Sequence, residues 1–160
     1  MKIYSFPSIS DKNARILILG SMPGNRSLEL NQYYGHNRNA FWKLIFALFG
    51  ENFSDDYENR KYILLKNKVA LWDVLQACER QGSLDSAIQK EVANDFTGFL
   101  SANPEIKYIL FNGQTAAKFF RKYVTVPDKY KLIILPSTSP AHSGLSFDKK
   151  LKAWEIINEL

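Results

Sequence analysis

Cysteine and histidine are almost missing from this chain. Cys78 stands alone, which excludes an internal disulfide and a cysteine-ligated cluster. His36 and His142 are the only histidines, too few to suggest a dedicated zinc site. No apolar run approaches the roughly 20 residues that span a membrane. The opening Met1-Lys2-Ile3-Tyr4-Ser5-Phe6 lacks the apolar core of a signal peptide. A Gly-x-x-x-x-Gly-Lys-Ser/Thr loop and a carboxylate cluster for Mg²⁺ are both missing, which counts against a nucleotide hydrolase. No repeat, low-complexity tract or interdomain linker interrupts the chain. These absences lead to the expectation of a cytoplasmic protein with one domain over residues 1–160, no membrane contact, no metal and no cofactor.

What is present is enough apolar material for a core. The 160 residues are 46% hydrophobic and 14% aromatic, so folding needs no staple. The formal charge of +5 suits a polyanionic partner without requiring one. Residues 1–14 read as a short leader ending in a polar turn. Ile16–Leu19 is apolar throughout, as a central parallel strand covered on both faces should be. A long loop with no helical period follows, from Gly20 to Arg38. Asn39 then caps a helix from Ala40 to Phe49, which Gly50 closes. Glu51–Lys68 carries a surface helix. Further strands are expected at Val69–Trp72, Tyr108–Phe111 and Leu132–Leu135, with helices at Asp95–Leu100, Gln114–Tyr123 and Asp148–Leu160. Alternation of this kind predicts an α/β fold: three layers, α/β/α, around a mainly parallel four-stranded sheet.

The small and polar residues gather where such strands end. Gly20-Ser21-Met22-Pro23-Gly24 follows the first strand, Asn112-Gly113 the third, and Pro136–Gly144 the fourth. Carboxyl ends of parallel strands share one edge of the sheet, so these loops should converge on one ligand site. Backbone amides and hydroxyls suit phosphate oxygens. Asparagine carboxamides suit base edges or a bound water, and Tyr33 or Tyr34 offers a face for stacking.

In these blocks the chain resembles the uracil-DNA glycosylase superfamily. It is similar to the mismatch-specific branch and, more closely in one feature, to the hypoxanthine-DNA (deoxyinosine) glycosylases. The mismatch-specific branch carries a Gly-Ile-Asn-Pro-Gly loop and then His-Pro-Ala-Asn-Arg-Phe-Trp-Lys. Here Gly20–Gly24 is followed by His36-Asn37-Arg38-Asn39-Ala40-Phe41-Trp42-Lys43. Asn112-Gly113-Gln114-Thr115-Ala116 resembles the family's Gly-x-x-Ala helix start, and Leu135–Pro140 its Leu-Pro-Asn-Pro-Ser-Gly loop. Met22 stands where the mismatch-specific branch positions water with an asparagine, and Ser137 stands where that branch has another. The hypoxanthine branch instead resembles this chain in having an asparagine just before Phe-Trp.

The resemblance implies a monofunctional glycosylase of base excision repair. It would act as a monomer on double- or single-stranded DNA and hydrolyse the glycosidic bond of a flipped-out hypoxanthine or, failing that, uracil or mispaired thymine. Asn39 would orient the water. Tyr34, Asn112, Met22, Gly20 and Ser21 would hold the base. Ser137, Ser139, Pro140, Ala141 and His142 would meet the backbone or the gap in the helix. No lysine falls where a Schiff-base nucleophile is needed, so strand cleavage is not expected.

Plainer readings stand beside these. Asn39 is well placed merely to cap a helix, and Asn112-Gly113 to make a turn. Tyr33 suits packing as well as pocket lining. Phe41, Trp42 and Phe46 have core spacing. Lys149, Lys150 and Lys152 suit a solvated helix face. A non-catalytic nucleic-acid-binding module on the same fold is the alternative, with Met22 marking lost chemistry.

Overall fold

A computed structural model describes residues 2–142 and 144–160; Ser143, in the last special loop, lies outside them. The chain runs β1 (Lys2–Tyr4), β2 (Ile16–Gly20), α1 (Asn25–Leu30), α2 (Phe41–Leu48), α3 (Tyr57–Lys66), β3 (Val69–Asp73) and β4 (Leu75–Glu79). It continues through β5 (Gln89–Ala93), α4 (Phe96–Ala102), β6 (Tyr108–Asn112), α5 (Gln114–Tyr123), β7 (Lys131–Leu135) and α6 (Phe147–Trp154). One 3₁₀ turn at Asp85–Ala87 precedes β5, and another at Glu155–Glu159 ends the last helix early.

The main sheet is parallel throughout, in the order β3-β2-β6-β7. Alternation along β2 shows why its whole sequence is apolar. Ile16 and Ile18 enter a core layer with Phe41, Leu44, Ile45 and Trp154 from α2 and α6. Leu17 and Leu19 enter the opposite layer with Phe96, Leu100, Ala117 and Phe120 from α4 and α5. Both faces are covered, giving the expected three layers. Phe41, Trp42 and Phe46 are core residues.

Register sets the site. Gly20 pairs with Asp73, Leu19 pairs with Phe111, and Asn112 pairs with Leu135. Gly20, Asp73 and Asn112 therefore end three adjacent strands at one level.

The structure departs from the sequence reading in several places. The leader is not irregular: Lys2–Tyr4 pairs antiparallel with Ala77–Glu79. With β5 these make a second, three-stranded sheet. β1 is three residues long, β5 is mostly polar, and the β1–β4 pairing joins residues more than 70 positions apart, so no local apolar pattern announces it. The Gly20–Arg38 loop contains α1, a single short helix ended by Asn31 in the left-handed region. The helix after Asn39 begins one residue later than capping by Asn39 requires, with Ala40 in the cap position. Lys150 is not solvated; it is 5% exposed and its Nζ donates to the His142 carbonyl at 2.7 Å.

Candidate active site

A cleft of about 660 Å³ opens at the carboxyl edge of the parallel sheet. Gly20, Ser21, Met22, Tyr34, Asn39, Asn112, Ser137, Ser139, Pro140, Ala141 and His142 all line it. Residues spread over more than 120 positions of sequence thus meet in one place, as parallel strands ending together dictate.

The first loop forms one wall and is clamped from outside. Ser21 Oγ donates to Asp85 Oδ1 at 2.8 Å, and the Asn25 N–H donates to Ser83 Oγ at 2.8 Å. Arg80 donates to the carbonyls of Pro23 and Gly82. Arg80, Ser83 and Asp85 therefore brace this wall. Met22 is 7% exposed and packs in the core layer with Leu19, Val74 and Phe111 while also lining the cleft. A thioether in that place contributes shape and holds no water.

Tyr34 and Asn39 come from the turn before α2. Tyr34 has φ 52, a left-handed conformation uncommon outside glycine. Its ring stacks on Phe41 with centroids 4.2 Å apart and an interplanar angle of 26°. Asn39 Oδ1 accepts the Phe41 N–H at 2.9 Å. This bond occupies one orphan donor of the helix and fixes the carboxamide plane, so the plainer reading of Asn39 holds in part. Its Nδ2 makes no hydrogen bond among the described residues and is free for a ligand. Tyr33 both packs and lines the cleft: its hydroxyl donates to the Pro7 carbonyl at 2.8 Å, and its own carbonyl accepts from Trp42 Nε1 at 2.7 Å.

The last loop is tied to the sheet through Thr138. Asn112 Nδ2 donates to Thr138 Oγ1, and Asn112 Oδ1 accepts the Thr138 N–H, both at 2.9 Å. The Thr138 carbonyl then accepts the Ala40 N–H at 3.0 Å. Ser137 Oγ accepts the Ser139 N–H, and Ser139 Oγ accepts the Ala141 N–H. Both hydroxyls keep their own hydrogen to donate, which suits phosphate oxygens. His142 is exposed at the rim, held through its carbonyl by Lys150.

Asp73 is the residue that sequence reading passed over. It lines the cleft at 3% exposure, and Oδ2 has no hydrogen-bond partner. Burial, and then the nearby charge of Asp85, push its carboxyl up to about 7, with Arg80 opposing. The Tyr34 hydroxyl is also buried without a partner. A Cβ on Gly20 would lie 2.7 Å from both Asp73 Oδ1 and Tyr34 Oη, so only glycine leaves this floor open. The signal was available: Asp73 ends a strand on the edge where three loops already converged. Among the described residues no three His, Cys, Asp or Glu side chains gather as metal ligands, and no helix is long and apolar enough to cross a membrane.

Comparison with known proteins agrees with this geometry. The model of the uracil DNA glycosylase superfamily matches residues 6–159. A hypoxanthine DNA glycosylase of Methanosarcina acetivorans is 39% identical over 153 residues, covering 95% of each chain. One from Methanosarcina barkeri is 42% identical over 120 residues, covering 74% of this chain and 76% of that one. A solution NMR structure of a candidate uracil DNA glycosylase from Methanosarcina acetivorans superposes with a TM-score of 0.81 at 35% identity, over 99% of both chains. Sequence blocks, strand order and cleft thus agree with the family match, and the chain belongs to the uracil DNA glycosylase superfamily.

Proposed function

We propose that this protein is a monofunctional DNA glycosylase that releases hypoxanthine from deoxyinosine in DNA, as a cytoplasmic, single-domain monomer of base excision repair. The observation that carries the reading is Asn39, whose carboxamide is oriented by the Phe41 N–H and lines the same cleft as Tyr34 and Asn112. Relatives named for hypoxanthine at about 40% identity support the choice of base.

A base stacked in a duplex is out of reach, so the nucleotide must leave the helix, at roughly a few kcal/mol and least for a mispaired base. The flipped base enters between the Gly20–Met22 wall and Tyr34, whose ring supplies stacking surface. Asn39 orients a water toward C1′. As the C1′–N9 bond breaks, positive charge grows on the sugar and negative charge on the base. The DNA phosphates favour the first, and hydrogen-bond donors on the base stabilise the second. Asn112 has both amide ends on Thr138, so its remaining N–H is what it offers a base, in a fixed direction. The hydroxyls of Ser137 and Ser139 hold the flanking phosphates, with Pro140, Ala141 and His142 at the gap.

Uracil or mispaired thymine is the second reading; the superfamily and the solved relative are both named for uracil. Met22 weighs against it, because the mismatch-specific pattern needs a carboxamide there.

Duplexes and single strands carrying deoxyinosine, uracil, xanthine or G:T, treated with alkali after incubation, test the assignment. Deoxyinosine strands should break only after alkali, and Asn39→Ala should lose about 10²–10³-fold in rate. Absence of abasic sites on every substrate, or an Asn39→Ala variant as fast as wild type, overturns it. Binding without cutting supports the non-catalytic alternative.

A further inference from the structure

The floor of the cleft holds two buried polar atoms that make no full hydrogen bond within the protein, one on Asp73 and one on Tyr34, the second with the Asn112 carboxamide beside it. Asp73 Oδ2 and the Tyr34 hydroxyl are both buried and both lack a hydrogen-bond partner, and Asp73 Oδ1 and the hydroxyl flank the point where a Gly20 side chain would stand. Buried polar atoms are ordinarily satisfied, so a pair left open beside a cleft awaits a ligand. Asp73 makes no ion pair among the described residues. Arg80, the basic group that acts on Asp73, donates through Nε and Nη2 to the carbonyls of Gly82 and Pro23, and its Nη1 is buried without a partner.

We propose that the Asp73 carboxyl is the proton donor to the flipped purine, contacting an acceptor of hypoxanthine and releasing its proton to the ring as the glycosidic bond breaks. This rests on the hypoxanthine reading above and adds to it an acid for the leaving group.

The chemistry suits the position. A carboxyl in an enclosed site keeps its proton to higher pH than an exposed one and can then donate it. Burial and Asp85 act in that direction at Asp73. The groups that face it are Asp85 on the 3₁₀ turn, Arg80 after β4, and Tyr33 and Tyr34 before α2. Of these only Arg80 favours the ionised form.

Hypoxanthine presents O6 and N7 as neighbouring acceptors, whereas adenine places an amino donor at position 6. A neutral carboxyl that donates to O6 favours the deaminated base, because adenine has a donor there, whereas at N7 the two purines accept alike. In the bond-breaking step the water oxygen joins C1′, and the C1′–N9 electron pair goes to the purine. The Asp73 proton goes to the contacted purine acceptor. The proton lost by the water restores the Asp73 carboxyl, directly or through solvent, so hypoxanthine leaves as a neutral molecule.

Single-turnover release from a deoxyinosine duplex, followed from pH 5 to 9, tests the assignment. Wild type should hold a plateau below about pH 7 and lose about tenfold per unit above it, the behaviour of a required acid. Asp73→Asn should abolish that decline and lower the plateau by about 10²–10³-fold. It should still bind a duplex containing a tetrahydrofuran abasic analogue within about twofold of wild type, because the footprint on the backbone is intact. A wild-type rate that is flat or rising across pH 6–9 overturns the proposal without recourse to any variant. So does an Asp73→Asn enzyme with the wild-type plateau and decline. A wild type that cuts uracil but never deoxyinosine overturns the substrate reading itself and this inference with it, and is distinguishable from the other two results.

Discussion

Asn112 and Thr138 are joined by two hydrogen bonds of 2.9 Å, one through each end of the asparagine amide. The end of the third parallel strand to appear in the chain is thereby locked to the loop after the fourth, and the Thr138 carbonyl extends the link to the start of α2. Asn112 is as much a clasp as a reader. Asn112→Ala strands the buried Thr138 N–H and should cost about 1–3 kcal/mol in urea unfolding. Thr138→Val keeps the shape and the backbone bond and should cost about 1 kcal/mol. If both variants release hypoxanthine at the wild-type rate, the clasp has no bearing on the site.

Gly20→Ala places a methyl 2.7 Å from Asp73 Oδ1 and Tyr34 Oη, atoms held by a strand and a packed ring. The cleft floor should fill, and kcat/KM on deoxyinosine should drop by at least about tenfold, equivalent to ~1.4 kcal/mol. Steady-state kinetics beside a circular dichroism spectrum would separate a blocked floor from a lost fold.

Asp73 also sets a pH dependence of stability. Its carboxyl is raised to about 7 in the folded state, so the native protein binds a proton more tightly than the unfolded chain does. Stability should therefore fall as pH rises from about 4 through 7, the opposite of a salt-bridged aspartate. Asp73→Asn escapes this loss. Its stability advantage over wild type should grow by about 2–3 kcal/mol between pH 5 and pH 8. Paired denaturation curves at the two pH values check it, and a constant difference would refute it.

Lys150 holds the rim from beneath by donating to the His142 carbonyl. Lys150→Met retains much of the buried stem and loses the bond. A hydrogen bond from a charged donor is worth about 1.5–3 kcal/mol, and that loss should fall on loop order. The expected result is a KM for DNA raised about tenfold with kcat little changed, as for uniform binding. A lowered kcat at unchanged KM would place His142 or its neighbours in the chemistry.

The main architecture was legible in the chain because its causes are local. Ile16–Leu19, Val69–Trp72 and Tyr108–Phe111 are short and apolar on both faces, as covered parallel strands are. Gly20, Asn112 and Pro136 mark strand ends that parallel topology must bring together, so the cleft and its lining followed. β1 and β5 carried no such mark, since their pairing depends on partners far along the sequence. Lys150 looked like surface because its neighbours are lysines and its acceptor is a backbone carbonyl.

The same division runs through Gly20–Gly24 and Asp73. Residue types alone show a glycine loop closing a buried strand, and the resemblance to the mismatch-specific branch shows methionine where that branch has an amide. Only the tertiary structure decided why Gly20 lacks a side chain, and that an aspartate from another strand stands beside it with an unpaired oxygen. Registry between β2 and β3 places Gly20 opposite Asp73, and packing of Tyr34 on Phe41 closes the third side. Those are contacts between distant parts of the chain, and no local pattern of residue types contains them.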